Sequence, residues 1–117
     1  MTMSENKTLL TFEEAGRLLG VGARRIKQLV RDRILFAKKE GGTAYIPSEI
    51  LVKGDNGWEP LFNLPGTLTL LSDDGFTEEE AVAWLYTEQD ELGCKPIDAL
   101  IAGRHHRVNA IASTLAF

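Results

Sequence analysis

Between positions 24 and 39 the chain carries seven basic side chains, Arg24, Arg25, Lys27, Arg31, Arg33, Lys38 and Lys39, against a single acid, Asp32. A cluster this dense makes a positive field that acts on a polyanion before salt screens it, over about 8–10 Å. Arginine presents a planar fork that matches phosphate oxygens and the O6/N7 edge of guanine. Glutamine presents a donor and an acceptor that match the edge of adenine. Gln28 follows Arg24 by four residues, one helical turn further along the same side. The chemistry open to this set is the binding of nucleic acid. Arg24, Arg25 and Gln28 are the candidates for base edges and Lys27 and Arg31 for phosphates. Lys38 and Lys39 are candidates for the neighbouring backbone or minor groove.

No other constellation competes with it. His105 and His106 are adjacent and would point about 100° apart on a helix, with no Cys, Asp or Glu at ligand spacing beside them. They are expected at the surface or at a cap. Cys94 stands beside Gly93 and reads as a turn residue. Asp73 with Asp74, and Glu78 to Glu80, fall where one helix ends and another begins, positions that suit solvated carboxylates and the helix dipole. Trp58, Phe76, Trp84 and Tyr86 read as core or interface anchors. Gly41-Gly42 is not followed by the Lys-Ser/Thr of a phosphate loop. A non-enzyme without cofactor or metal is the expectation.

The basic residues need a scaffold, and the pattern around them supplies one. Thr11 with Glu14 three residues on forms a capping box. Phe12, Ala15, Leu18 and Leu19 follow at helical spacing, and Gly20 ends that helix. Arg17 stands beside the apolar face, and the amides at the capped end are a further phosphate candidate. A second helix is predicted from about Gly22 to Asp32, with Ile26, Leu29 and Val30 on one side and the basic residues on the other. Two short helices across a joint of about three residues are the pattern of a helix-turn-helix. Ile34–Lys39 and Thr43–Ile46 are predicted strands around Glu40-Gly41-Gly42, forming a hairpin wing with Lys38 and Lys39 near its tip. Pro47 begins a short helix carrying Ile50 and Leu51.

The remainder differs in character. Residues 1–53 hold ten Lys/Arg and six Asp/Glu, a charge of +4, whereas residues 54–117 hold three and eleven, a charge of −8. Such asymmetry points to two modules with different partners. The expected organisation is a disordered tail over 1–8, a winged helix-turn-helix over 9–53, a linker over 54–63 and a helical domain over 64–117. In the last, helices are predicted over 64–74, after the Thr77–Glu80 capping box, around Ile97 and Leu100, and through Val108, Ile111, Ala112 and Leu115. The fold class is mainly α with a small β-hairpin wing. One cysteine among 117 residues and no signal core or bilayer-length apolar run lead to the expectation of a soluble, cytoplasmic protein.

The stretch LTFEEAGRLLGVGARRIKQLVRDRILFAKKEGGTAYIPSEIL resembles the winged helix-turn-helix domains of the excisionase and MerR-like group. The resemblance rests on the Thr-capped first helix, the Leu-Gly-Val turn, the basic second helix, the Gly-containing wing and the Tyr-x-Pro exit. Gly22 stands where those relatives carry Ser or Thr as the cap of the reading helix. The whole chain also resembles small actinobacterial DNA-binding proteins with such a head and a helical tail. The string GFTEEEAVAWLYTEQDELGCKPIDALIAGRHHRV is similar to the C-terminal domain of some Xre-type antitoxins. The resemblance implies double-stranded DNA as partner, a role in transcription regulation, and dimerisation or a protein partner through the C-terminal half; the alternative reading is a protein-interaction module or antitoxin-like protein whose acidic C-terminal half binds a protein partner. Thr2, Ser4, Thr8 and Thr11 lie at the head, where a phosphate would add nearly two negative charges and repel DNA.

Overall fold

The computed structural model describes residues 8–115, and the chain divides after Phe62 into two compact units.

The first unit is built on two short helices and two small sheets. β1 (Leu9–Leu10) leads into α1 (Phe12–Leu19) and α2 (Ala23–Arg31). β2 (Lys38–Glu40) and β3 (Thr43–Pro47) follow, with Gly41 and Gly42 at φ 59° and 86° between them. Two consecutive left-handed residues make the turn whose twist matches a tight hairpin. β1 pairs antiparallel with β3, Leu9 opposite Pro47 and Leu10 opposite Ile46, so the sheet order is β1-β3-β2. Thr8 extends this edge, its carbonyl accepting the Ser48 amide at 2.8 Å. Residues 1–7 of the expected tail, Thr2 and Ser4 among them, lie outside the described residues, but Thr8 belongs to the fold.

Three further expectations are corrected. Only Lys38 and Lys39 of the predicted strand Ile34–Lys39 are in β2, because Leu35 and Phe36 are buried as a non-repetitive return from α2. The stretch 54–63, expected as a linker, is structured. β4 (Leu51–Gly54) and β5 (Gly57–Pro60) form an antiparallel hairpin around Asp55-Asn56, with Leu51 opposite Pro60 and Lys53 opposite Trp58. The glycines and Asp-Asn that suggested flexibility are turn residues. The short helix expected after Pro47 is a single 3-10 turn, Ser48–Ile50.

The core of this unit is Ala15, Ile26, Leu29, Leu35, Phe36, Ile46, Ile50, Leu51 and Leu61, all buried. Leu18, expected on the buried face of α1, is exposed.

The second unit contains α3 (Leu64–Asp73), α4 (Glu78–Leu85), α5 (Pro96–Ile101) and α6 (His105–Ala112). Leu64, Leu71, Leu85, Ile97, Leu100 and Val108 are fully enclosed. Asn63 caps the start of α3 in position and ties it to α5, its Nδ2 donating to the Leu100 carbonyl at 2.9 Å. Thr67, fully buried, donates its hydroxyl to Asn109 Oδ1 on α6. Cys94 closes a turn by a bridge to Gln89, and His105 and His106 open α6.

Both capping boxes form. Thr11 Oγ1 accepts the Glu14 amide at 3.0 Å while Glu14 Oε1 accepts the Thr11 amide at 2.8 Å. Thr77 and Glu80 repeat the arrangement at 3.1 and 2.9 Å. Thr11→Ala and Thr77→Ala should each remove about 1 kcal/mol in urea unfolding of the full chain. Gly at the same positions should cost only a few tenths of that.

Candidate nucleic-acid interface

α2 sorts its side chains by a simple geometric rule. At about 100° per residue, Ile26 and Leu29 fall on one side with Val30 beside them, and they are buried and half-buried. Arg24, Lys27, Gln28 and Arg31 fall on the opposite side, and all four are exposed. Arg25 lies at the flank, also exposed. Among the described residues, no carboxylate pairs with Arg24, Lys27 or Arg31. The cations of this face are therefore presented outward and not consumed internally.

Within the face one contact departs from the sequence reading. Arg25 Nη1 donates to Gln28 Oε1 at 3.0 Å. The amide oxygen that adenine N6 would use is engaged by the neighbouring guanidinium. Gln28 thereby orients Arg25, whose remaining N–H groups stay available.

The two helix N-termini differ in electrostatics. α1 carries Glu13 and Glu14 in its first turn, and its capping box engages the Thr11 and Glu14 amides. A phosphate placed there would meet two carboxylates, so the capped end of α1, expected as a phosphate candidate, is unsuited to that role. α2 begins at Gly22 with no side-chain cap and no acid in its first turn. Its end of the helix dipole is positive and unopposed by an acid in its own first turn.

What holds α2 against α1 is a glycine that the periodicity gave no reason to single out. Gly16 lies inside α1 and is buried. Its carbonyl accepts the amides of both Gly20 and Val21. A Cβ at this position would stand 2.5 Å from the Val21 carbonyl oxygen and 3.3 Å from the Gly22 carbonyl carbon. The tight turn of the helix-turn-helix exists because α1 has no side chain there. The available signal was a glycine in the middle of a well-capped helix, which costs helix propensity without an evident return.

The wing carries the remaining candidates. Lys38 pairs with Tyr45 and Lys39 with Ala44 across the hairpin. Successive strand residues point to opposite faces, so the two lysines do not share one. Lys39 is exposed and Lys38 half-buried. No helix among the described residues is long and apolar enough to cross a membrane.

Comparison with known proteins agrees with this arrangement. Residues 2–51 match the family model described as DNA-binding protein Rv2175c, wHTH domain, and residues 62–116 match the Rv2175c C-terminal domain of unknown function. The chain is 30% identical over 112 residues to the DNA-binding protein Rv2175c of Mycobacterium tuberculosis (strain ATCC 25618 / H37Rv), covering 86% of this chain and 75% of that protein. An NMR structure of Rv2175c superposes with a TM-score of 0.81 at 26% identity, over 100% of this chain and 86% of the other. With a winged helix-turn-helix ahead of a helical C-terminal unit, matched along both parts, the chain belongs to the Rv2175c family of DNA-binding proteins.

Proposed function

We propose that the protein is a transcription regulator that inserts α2 into the major groove of double-stranded DNA, with Arg24, Arg25, Lys27, Gln28 and Arg31 as the reading face and Lys38 and Lys39 as wing contacts. The observation that carries this reading is the outward face of α2, where the cations lie opposite buried Ile26 and Leu29. A helix fits the major groove, and the first turns of a recognition helix reach base edges. Arg24 supplies a bidentate contact to guanine. Arg25, oriented by Gln28, supplies a second. Lys27, Arg31 and Lys39 neutralise phosphates.

Phosphate neutralisation releases counterions, so affinity must fall with salt. With about four phosphates engaged, a plot of log K against log salt should have a slope near −3.6. Replacing Lys38 and Lys39 together with Ala should make it shallower by about 1 to 2 and weaken all sequences alike. Because the two lysines face opposite ways, Lys39→Ala alone should account for most of the loss. Fluorescence anisotropy of the full chain on a duplex, from 50 to 300 mM salt, checks this. A flat salt response would overturn the reading.

The C-terminal unit is assigned to self-association or to a protein partner, acting in the cytoplasm. Its support is the charge of −8 over residues 54–117 and the likeness of its sequence to antitoxin tails. Selection of bound duplexes from a random pool, with sedimentation of the free protein, separates the two roles. A symmetric two-part footprint with a dimeric mass supports self-association. A one-part footprint with a monomeric mass leaves the unit to a partner.

A further inference from the structure

We propose that Arg33, which lies outside the reading helix, is an additional phosphate contact of the DNA interface, held for that purpose in a backbone conformation that disfavours arginine. The inference rests on the DNA-binding reading given above.

Three helices end in the same hydrogen-bond motif. After α3, the Phe76 amide donates to the Leu71 carbonyl and the Gly75 amide to Ser72. After α5, the Arg104 amide donates to Ala99 and the Gly103 amide to Leu100. After α2, the Ile34 amide donates to Leu29 and the Arg33 amide to Val30. This is the Schellman closure, whose pivotal residue is left-handed. Two of the three pivots are glycine, at φ 99° for Gly75 and 85° for Gly103. The third is Arg33 at φ 62°. Among the described residues, every other position with positive φ is a glycine. A Cβ in this region crowds the following carbonyl oxygen, and arginine has no short polar side chain to offset that locally.

Local stability does not account for the choice. A cation at a helix C-terminus interacts favourably with the dipole, but Arg31 already provides one in the last turn of α2. Among the described residues, the Arg33 guanidinium makes no hydrogen bond or ion pair, and the residue is exposed. Glycine would close this helix with less strain. What arginine adds is an unengaged planar cation between Arg31 and Lys38, in the joint that connects the reading helix to the wing. A phosphate oxygen is the chemistry that such a fork recognises.

The test is Arg33→Gly in the full chain, with Arg33→Lys beside it, on a duplex of random sequence of about 20 base pairs. Arg33→Gly should raise the melting temperature by about 2–5 °C through relief of strain. It should also weaken binding about fivefold to tenfold at 100 mM salt and make the salt slope shallower by about 0.9. Arg33→Lys should keep the wild-type slope. Unchanged affinity in a stabilised Arg33→Gly protein overturns the role of Arg33 while leaving the α2 interface standing. A lower melting temperature for Arg33→Gly removes the strain argument and overturns it too. Failure of the wild-type chain to bind any duplex removes the interface itself.

Discussion

Replacing Arg24 and Arg31 together with Ala should weaken DNA binding by about 40- to 1,000-fold at 100 mM salt and leave the fold intact. Arg24 lies in the first turn of α2, where a bidentate base contact contributes roughly 1–3 kcal/mol of discrimination. Arg31 lies in the last turn, and loss of one neutralised phosphate reduces affinity about eightfold at 0.1 M salt. The two are seven residues apart, about 10 Å along the helix axis, so their effects should add. Both are exposed, and neither pairs with a carboxylate among the described residues. Their removal should therefore move folding free energy by no more than about 0.5 kcal/mol. The two singles differ in kind. Arg24→Ala should relax base preference, while Arg31→Ala should weaken every sequence equally. Binding within threefold of wild type for the double variant would remove α2 as the reading element.

The largest loss of stability is expected from a single small residue. Gly16→Val should destabilise the first unit by about 3 kcal/mol or more and abolish DNA binding with it. The Cβ would meet the Val21 carbonyl oxygen at 2.5 Å. Neighbouring side chains often rotate out of such a clash, but here the obstacle is backbone. The turn between α1 and α2 must open, which breaks the bonds from the Gly20 and Val21 amides to the Gly16 carbonyl. For a unit of this size, a loss of that order lowers the melting temperature by about 12 °C or more. Gly16→Ala should show a smaller loss, because better helix propensity offsets part of the clash by about 1 kcal/mol. Gly66 in α3 is the control. It is exposed, and a Cβ there meets nothing within 4 Å. Gly66→Ala should stabilise the chain by about 0.5–1 kcal/mol. Thermal unfolding of the three variants by circular dichroism distinguishes crowding from propensity. Equal gains at positions 16 and 66 would show that the turn has room to spare.

Local, short-range physics was readable from the residues alone. A threonine three positions before a glutamate and apolar residues at helical spacing specify α1 and α4, and a glycine ends α1, without reference to anything distant. The separation of Ile26 and Leu29 from Arg24, Lys27 and Arg31 on α2 follows from helical period alone, and so does the outward basic face. Contacts between residues far apart in sequence were not readable. β1 is two residues long and has no pattern of its own; it is a strand because β3, some 37 positions later, offers it an edge. The hairpin β4–β5 reads as a linker because Gly54, Asp55, Asn56 and Gly57 are equally at home in flexible chain and in a tight turn. Only pairing with the flanking residues decides between them. The need for Gly16, the engagement of Gln28 by Arg25 and the left-handed Arg33 involve residues close in sequence and were not readable either. Each depends on where a second segment or side chain comes to rest, which packing sets and periodicity does not encode.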